Sequence, residues 1–152
     1  MIKPLKTYNI AGNTVIIGGY DLGGYGEDGG LEYEFAEDIG EMTVGALGDA
    51  AFSYNYNDLV FVNVTVMETT RTYRDLYTLL AAQLTALRQG LPITPLNYFH
   101  QDANNGDLVT SAYAAFIQRP GPTKQRTVSE RTFRLALPGA GESMVLGANN
   151  VI

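Results

Sequence analysis

The stretch Leu59–Glu68, LVFVNVTVME, limits the fold more than any other part of this chain. Val60, Val62, Val64 and Val66 fall on one side of an extended backbone, and Phe61, Asn63 and Thr65 fall on the other. Branched side chains at strict period two suit a pleated surface and cannot form the apolar stripe of a helix. Such a strand must be buried on its valine face, so the rest of the chain has to supply a sheet around it. The same period recurs. Leu31, Tyr33 and Phe35 alternate with Glu32 and Glu34; Phe52, Tyr54 and Tyr56 alternate with Ser53, Asn55 and Asn57; Phe133, Leu135 and Leu137 alternate with Arg134 and Ala136.

Shorter strands fill the gaps. NTVIIGGY from Asn13 is β-branched and ends in glycines, and Met42 to Val44 precedes a glycine-bearing bend. Asn57-Asp58 marks a turn, Asn105-Gly106 is the signature of a tight turn between two strands, and RPGPTK is a Pro- and Gly-rich connection before the last strand. The expected fold is mainly β: a sandwich or barrel of about seven to eight strands with one flanking α-helix over an opening or face. A chain of 152 residues is long enough to bury roughly 68 to 70% of its unfolded surface as one domain. Residues 1–152 are therefore read as a single unit, with 1–12 and 139–152 as arms that order on assembly.

The helix begins near Thr72 in TYRDLYTLLAAQLTALRQG, where Thr72 caps and Asp75 stands three residues on. Tyr73, Leu76, Tyr77, Leu80, Leu84 and Leu87 then form one apolar stripe that packs on the sheet, and Gly90 ends the helix with Pro92 beyond it.

Charge divides the chain in two. No Lys or Arg occurs between Lys6 and Arg71, a span with eleven carboxylates, whereas Arg71 to Ile152 carries eight basic residues against five acids. Complementary parts of this kind suit head-to-tail association of like copies, acidic surface to basic surface. The net charge of -6 argues against specific nucleic-acid binding, which needs clustered cations. No cysteine is present, which removes disulfide, thiolate-metal and thiol-nucleophile chemistry. The opening residues lack the apolar run of a signal peptide and no stretch approaches a membrane span, so a soluble, unprocessed chain is expected.

Motifs that suggest chemistry fail on context. GYGEDG, Gly24 to Gly29, has the spacing of a dinucleotide loop, but the next element alternates as a strand, and Glu27 and Asp28 would repel a pyrophosphate. It is read as a hairpin loop. DANNGD, Asp102 to Asp107, has its glycine fifth instead of sixth and Tyr113 where a calcium loop needs Glu. His100 is the only histidine and no serine sits in a nucleophile elbow, so His100 is read as a strand or turn residue. No catalytic residue, cofactor site or metal site is expected. The tyrosines have no basic interleaving and are read as core or interface rings.

The run EMTVGALGDAAFSYNYNDLVFVNVTVMETTRTYRDLYTLL, followed by AYAAFIQRPGP and RTFRLALPG, resembles the tail tube proteins of contractile-tailed bacteriophages. The matching stretches are Thr43 to Gly48, Leu59 to Thr70, the helix from Tyr73, Ala112 to Pro120 and Arg131 to Leu137, spanning about Thr14 to Gly139. Leu47 departs from the pattern, where relatives often carry a polar residue, and LRQGLPITP has no clear counterpart. The resemblance implies a non-enzymatic virion protein with six copies to a ring and rings stacked into a hollow tube. Sheath, baseplate and tape measure proteins would be its partners. Double-stranded DNA would pass without specific binding, and assembly would take place in the host cytoplasm. Six copies at -6 give a formal -36 per ring. Glu27, Asp28, Glu37, Asp38 and Asp49 are the candidates to face the lumen, where like charge keeps DNA from adhering. Met42, Val44, Gly45, Leu47, Gly48, Phe52, Tyr54 and Tyr56 are the candidates for a hairpin that reaches the next ring. The alternatives are the inner tube of a bacterial contractile injection or secretion system and a non-catalytic β-sandwich binding module.

Overall fold

The computed structural model of the chain describes residues 13–22, 30–54, 57–103, 106–122, 126–127 and 129–147. Seven strands make one antiparallel sheet: β1 (Asn13–Ile17), β2 (Tyr20–Asp21), β3 (Leu31–Phe35), β6 (Val60–Met67), β7 (Leu96–Asp102), β8 (Leu108–Gln118) and β9 (Glu130–Leu137). Their order across the sheet is β2-β1-β7-β8-β9-β6-β3. β4 (Gly40–Val44) and β5 (Ala50–Tyr54) form a separate two-stranded hairpin. The mainly β fold with a flanking helix is the one read from the sequence.

The valine strand β6 lies between β3 and β9, and all four of its valines are fully buried. They share the core with Val15 and Ile17 of β1, Tyr98 of β7, and Phe133, Leu135 and Leu137 of the adjacent strand β9. β8 serves both halves of the sheet: Leu108 to Ala114 pair with β7, and Ala115 to Gln118 pair with β9, with a register irregularity in each pairing. Irregularities of this kind bend a strand and let a sheet curl. The curl brings edge strand β3 opposite β7, so that the Tyr33 hydroxyl meets the Tyr98 hydroxyl at 2.6 Å and His100 Nδ1 at 2.6 Å.

Helix α1 (Arg71–Arg88) starts two residues earlier than the sequence reading placed it. Thr70 is the cap, its hydroxyl accepting from Tyr73 N at 3.3 Å, while Thr72 is buried. The C-terminal end fits expectation: Gly90 takes φ +69, with Gly90 N donating to Leu87 O and Leu91 N to Ala86 O. Leu76 and Leu80 are buried, but Tyr77 and Leu87, expected in the same stripe, are half exposed. Beyond the strand where β7 stops, the Gln83 side chain takes the place of a neighbouring strand. Its Nε2 donates to Phe116 O at 2.7 Å, and Phe116 N donates to its Oε1 at 2.9 Å.

The segment 139–147 is tied to the body. It holds a short α2 (Ala140–Ser143), Ala140 is fully buried, and Val145 exchanges backbone hydrogen bonds with Leu108. Residues 1–12 and 148–152, the remainder of the expected arms, lie outside the described residues.

Candidate assembly surface

The hairpin β4–β5 and its tip hold five of the large apolar side chains that are exposed among the described residues: Met42, Val44, Leu47, Phe52 and Tyr54. Gly40 pairs with Tyr54, Met42 with Phe52 and Val44 with Ala50. Directly opposed residues share a face, so Met42, Val44, Ala50, Phe52 and Tyr54 make one apolar side, and Glu41, Thr43, Ala51 and Ser53 the other. Every residue of β5 is exposed, with Phe52 at 57% and Tyr54 at 77%. A two-stranded hairpin is marginal in water without a surface to pack on.

Sequence composition sets this geometry. At the tip, Gly48 adopts φ +86 and its N–H donates to Gly45 O, while Gly45 N donates to Asp49 O at 2.7 Å. Leu47 stands almost free at 94% exposure. Of the two tip glycines expected to allow sharp turning, Gly48 alone has the left-handed backbone that needs glycine. At the root, a Cβ on Gly40 would lie 2.5 Å from Phe52 Cζ and 2.6 Å from Ser53 O, so only glycine permits the ring to lie across the partner strand.

The root opens into a cavity of about 720 Å³ lined by Phe35, Ile39, Gly40 and Phe52, with Glu37, Asp38 and Asp58 on its walls. Thus two lumen candidates, Glu37 and Asp38, stand together at the hairpin root, whereas Asp49 lies at the opposite end, by the tip. Glu27, Asp28 and Tyr56 lie outside the described residues, as does the GYGEDG loop. The element after that loop is strand β3, not a helix. The sequence reading bounded the hairpin at Gly40 and Asp58 and missed Ile39 and Gly141 as parts of this surface. The signal for Gly40 was present, since a glycine at the start of a strand marks a close approach of another chain segment.

Two further features frame the site. α1 presents an exposed row of Arg71, Arg74, Thr78, Ala81, Thr85 and Arg88, in which Arg71 lies 3.9 Å from Asp75. On the outer face of the sheet, Arg134 lies 4.6 Å above the Phe61 ring and reaches Asn63 Oδ1 at 3.1 Å and Glu34 Oε2 at 3.2 Å.

His100 lies in β7, as read, and is almost fully buried. Its Nε2 lies 2.8 Å from Asn13 Oδ1, so that nitrogen carries the proton and Nδ1 accepts from Tyr33. Burial pushes the His100 pKa below its ordinary value, against the opposing pull of Asp102 and Asp107. The histidine closes the seam between β1, β3 and β7. Among the described residues, no three His, Cys, Asp or Glu side chains gather as metal ligands would, and no helix is long and apolar enough to cross a membrane.

No family model and no curated protein matches the sequence. The fold does match solved structures. With a TM-score of 0.58 and 8% identity, 97% of the chain aligns with 95% of a chain in the cryo-electron-microscopy structure of the anti-feeding prophage cap, a tube-terminating cap. With a TM-score of 0.56 and 7% identity, 93% aligns with 97% of a chain from the PVC sheath/tube terminator of an extracellular contractile injection system in the extended state. With a TM-score of 0.52 and 8% identity, 93% aligns with 92% of a chain from the PVC sheath-tube complex in the extended state. Nearly end to end, then, the chain shares its fold with chains of contractile injection assemblies.

Proposed function

We propose that this chain is a structural, non-enzymatic subunit of the inner tube of a contractile tail, with six copies closing a ring and rings stacking into a hollow conduit. The observation that carries the reading is the hairpin β4–β5, whose apolar side of Met42, Val44, Phe52 and Tyr54 is exposed among the described residues. Exposed apolar patches of this kind mark association sites. In the proposed tube the hairpin reaches the neighbouring ring, sheath, baseplate and tape measure proteins are partners, and double-stranded DNA travels the bore without specific binding. The location is then a phage tail built in the host cytoplasm.

A second reading places the same subunit in the inner tube of a bacterial contractile injection or secretion system, supported by two of the solved structures it aligns with, which come from an extracellular contractile injection system. Capsid and terminase genes beside its own would decide for the phage. A monomeric β-sandwich binding module is the remaining alternative.

Negative-stain electron microscopy across a concentration series tests the proposal. Six-fold rings or hollow tubes are expected, and isolated globular particles at every concentration would favour the binding module. Shortening the hairpin between Gly40 and Asp58 is expected to abolish stacking while leaving the fold intact, and normal tubes from that variant would refute the role given to it.

A further inference from the structure

Charge and exposed apolar surface are both divided in this chain, and the two divisions coincide. Residues 40–54, the hairpin and its tip, carry Glu41 and Asp49 and no cation. Two other stretches have the opposite composition: residues 76–101 hold Arg88 and no acid, and residues 108–129 hold Arg119, Lys124 and Arg126 and no acid. Outside the hairpin and its root, the large apolar side chains exposed among the described residues are Tyr77, Leu87, Leu91, Tyr113 and Ile117, all in those two stretches, together with Val145 and Leu146.

The fold joins the two acid-free stretches. Gln83 of α1 pairs with both the N–H and the C=O of Phe116 in β8. Leu87 and Arg88 stand one turn beyond Gln83, and Leu91 N donates to Ala86 O, which holds the chain against the helix end. Ile117 and Arg119 follow Phe116 directly. Leu87, Leu91 and Ile117 are half exposed, and Arg88 and Arg119 are exposed. An apolar centre with a polar rim is the layout of a protein contact surface. The other described arginines are placed differently. Arg131 is tied to Glu68 and Arg134 to Glu34, Arg71 lies 3.9 Å from Asp75, Arg74 stands in the first turn of α1, and Arg126 lies in the connection between β8 and β9.

The hairpin has the matching layout: an apolar side of Met42, Val44, Phe52 and Tyr54, with Asp49 by its tip. Complementary potentials steer two such surfaces together, whereas like charge opposes hairpin against hairpin. The two surfaces differ, so the contact is heterologous and propagates from copy to copy.

We infer that the β4–β5 hairpin of one copy docks on the α1–β8 junction of another, its apolar side on Leu87, Leu91 and Ile117 and Asp49 toward Arg88 and Arg119. The inference rests on the assembly role proposed above and names the surface that receives the hairpin. With five residues per strand the ribbon is about 17 Å long. One hairpin therefore covers less than the roughly 800 Å² per partner of a standard interface, and an isolated pair is short-lived.

Covalent trapping suits such a contact, and the absence of cysteine makes it direct. Full chains carrying Val44→Cys and Leu87→Cys are mixed in equal amounts and oxidised, and the dimers are sorted by intact mass. Two control mixtures each exchange one member, for Thr43→Cys on the other side of the hairpin or for Leu146→Cys, exposed in the segment 139–147. Heterodimers forming roughly tenfold faster in the first mixture than in either control support the inference. Equal rates in the three mixtures, or Val44→Cys chains pairing chiefly with themselves, would overturn it. Adding Arg88→Glu and Arg119→Glu to the Leu87→Cys chain is expected to slow the heterodimer severalfold at low salt, and Asp49→Arg in the Val44→Cys chain to restore it, with both effects shrinking as salt rises. An unchanged rate, or no restoration, would overturn the charge matching and with it the choice of surface. Trapping and microscopy separate this contact from the tube: rings with equal trapping rates remove the contact and leave the tube, and fast trapping without rings does the reverse.

Discussion

Replacing Gln83 with Leu should be one of the most damaging changes available on a surface helix. Gln83 supplies both hydrogen bonds that Phe116 would otherwise make to an adjacent strand, at 2.7 and 2.9 Å. Phe116 is buried at 5% exposure, and the β7 pairing on that side of β8 ends at Ala114. The leucine keeps the bulk of the side chain and removes both partners, leaving one N–H and one C=O unpaired. An unsatisfied buried group costs about 1–3 kcal/mol, and Gln83 is itself only partly buried, so some water can enter. Taking the lower part of that range for each group gives about 2–4 kcal/mol, a large share of a typical domain's stability. For a chain of this size that corresponds to a drop of roughly 5–15 °C in melting temperature. Urea unfolding followed by far-UV circular dichroism would measure it. Gln83→Glu gives an internal check. A carboxylate offers no donor to the Phe116 carbonyl, but a protonated carboxyl restores one donor and one acceptor, so the deficit relative to wild type should shrink as pH falls toward about 4. A loss under about 0.5 kcal/mol for Gln83→Leu would refute the view that the helix completes the sheet.

Three further outcomes are expected. Because His100 binds its proton less readily folded than unfolded, its contribution is fully present above the unfolded value near 6.5 and is lost as pH falls below it toward the depressed folded value. Wild type should therefore lose stability between pH 7 and 5 more steeply than His100→Gln, and parallel curves from denaturant titrations would count against this. Tyr33→Phe removes the hydroxyl shared by Tyr98 and His100 and should cost about 1–3 kcal/mol in the same assay, with a change near zero contradicting a clasp at that seam. Gly40→Val should leave the melting temperature of the body nearly unchanged but raise hydrogen exchange across β4–β5, since the new side chain meets the Ser53 carbonyl; protection equal to wild type would show that the hairpin tolerates a side chain there.

Strands were legible where burial on one face imposes period two, as in Val60 to Val66 and Phe133 to Leu137, because register there admits a single choice. The helix cap was misplaced because Thr70 and Thr72 are equivalent by residue type, and only tertiary burial of Thr72 separates them. Four-residue α2 gives no periodicity to read, and its position is set by the contact of Gly141 with Asp58, where Gly141 N donates to Asp58 O at 2.9 Å. The hairpin was visible as alternation in Phe52 and Tyr54, but its projection from the body was not, since the same pattern serves a buried face equally well. The cavity depends on Phe35, Phe52 and Gly141 meeting across distant parts of the chain, which no local pattern encodes.

The strand order also has a consequence for how the chain acquires its shape. β1 lies between β2 and β7, and β6 lies between β3 and β9, so β1 cannot complete its pairing until Leu96–Asp102 has been made, nor β6 until Glu130–Leu137 has, close to the end of the chain. β4–β5, by contrast, is joined by a short local loop and can close in microseconds, while non-local sheets of this kind take milliseconds to seconds. During synthesis, therefore, the sticky element exists before the body that holds it at the right angle. A nascent chain with its hairpin formed and its barrel open is the species most exposed to misassociation, and its lifetime is set by how soon β7 to β9 emerge.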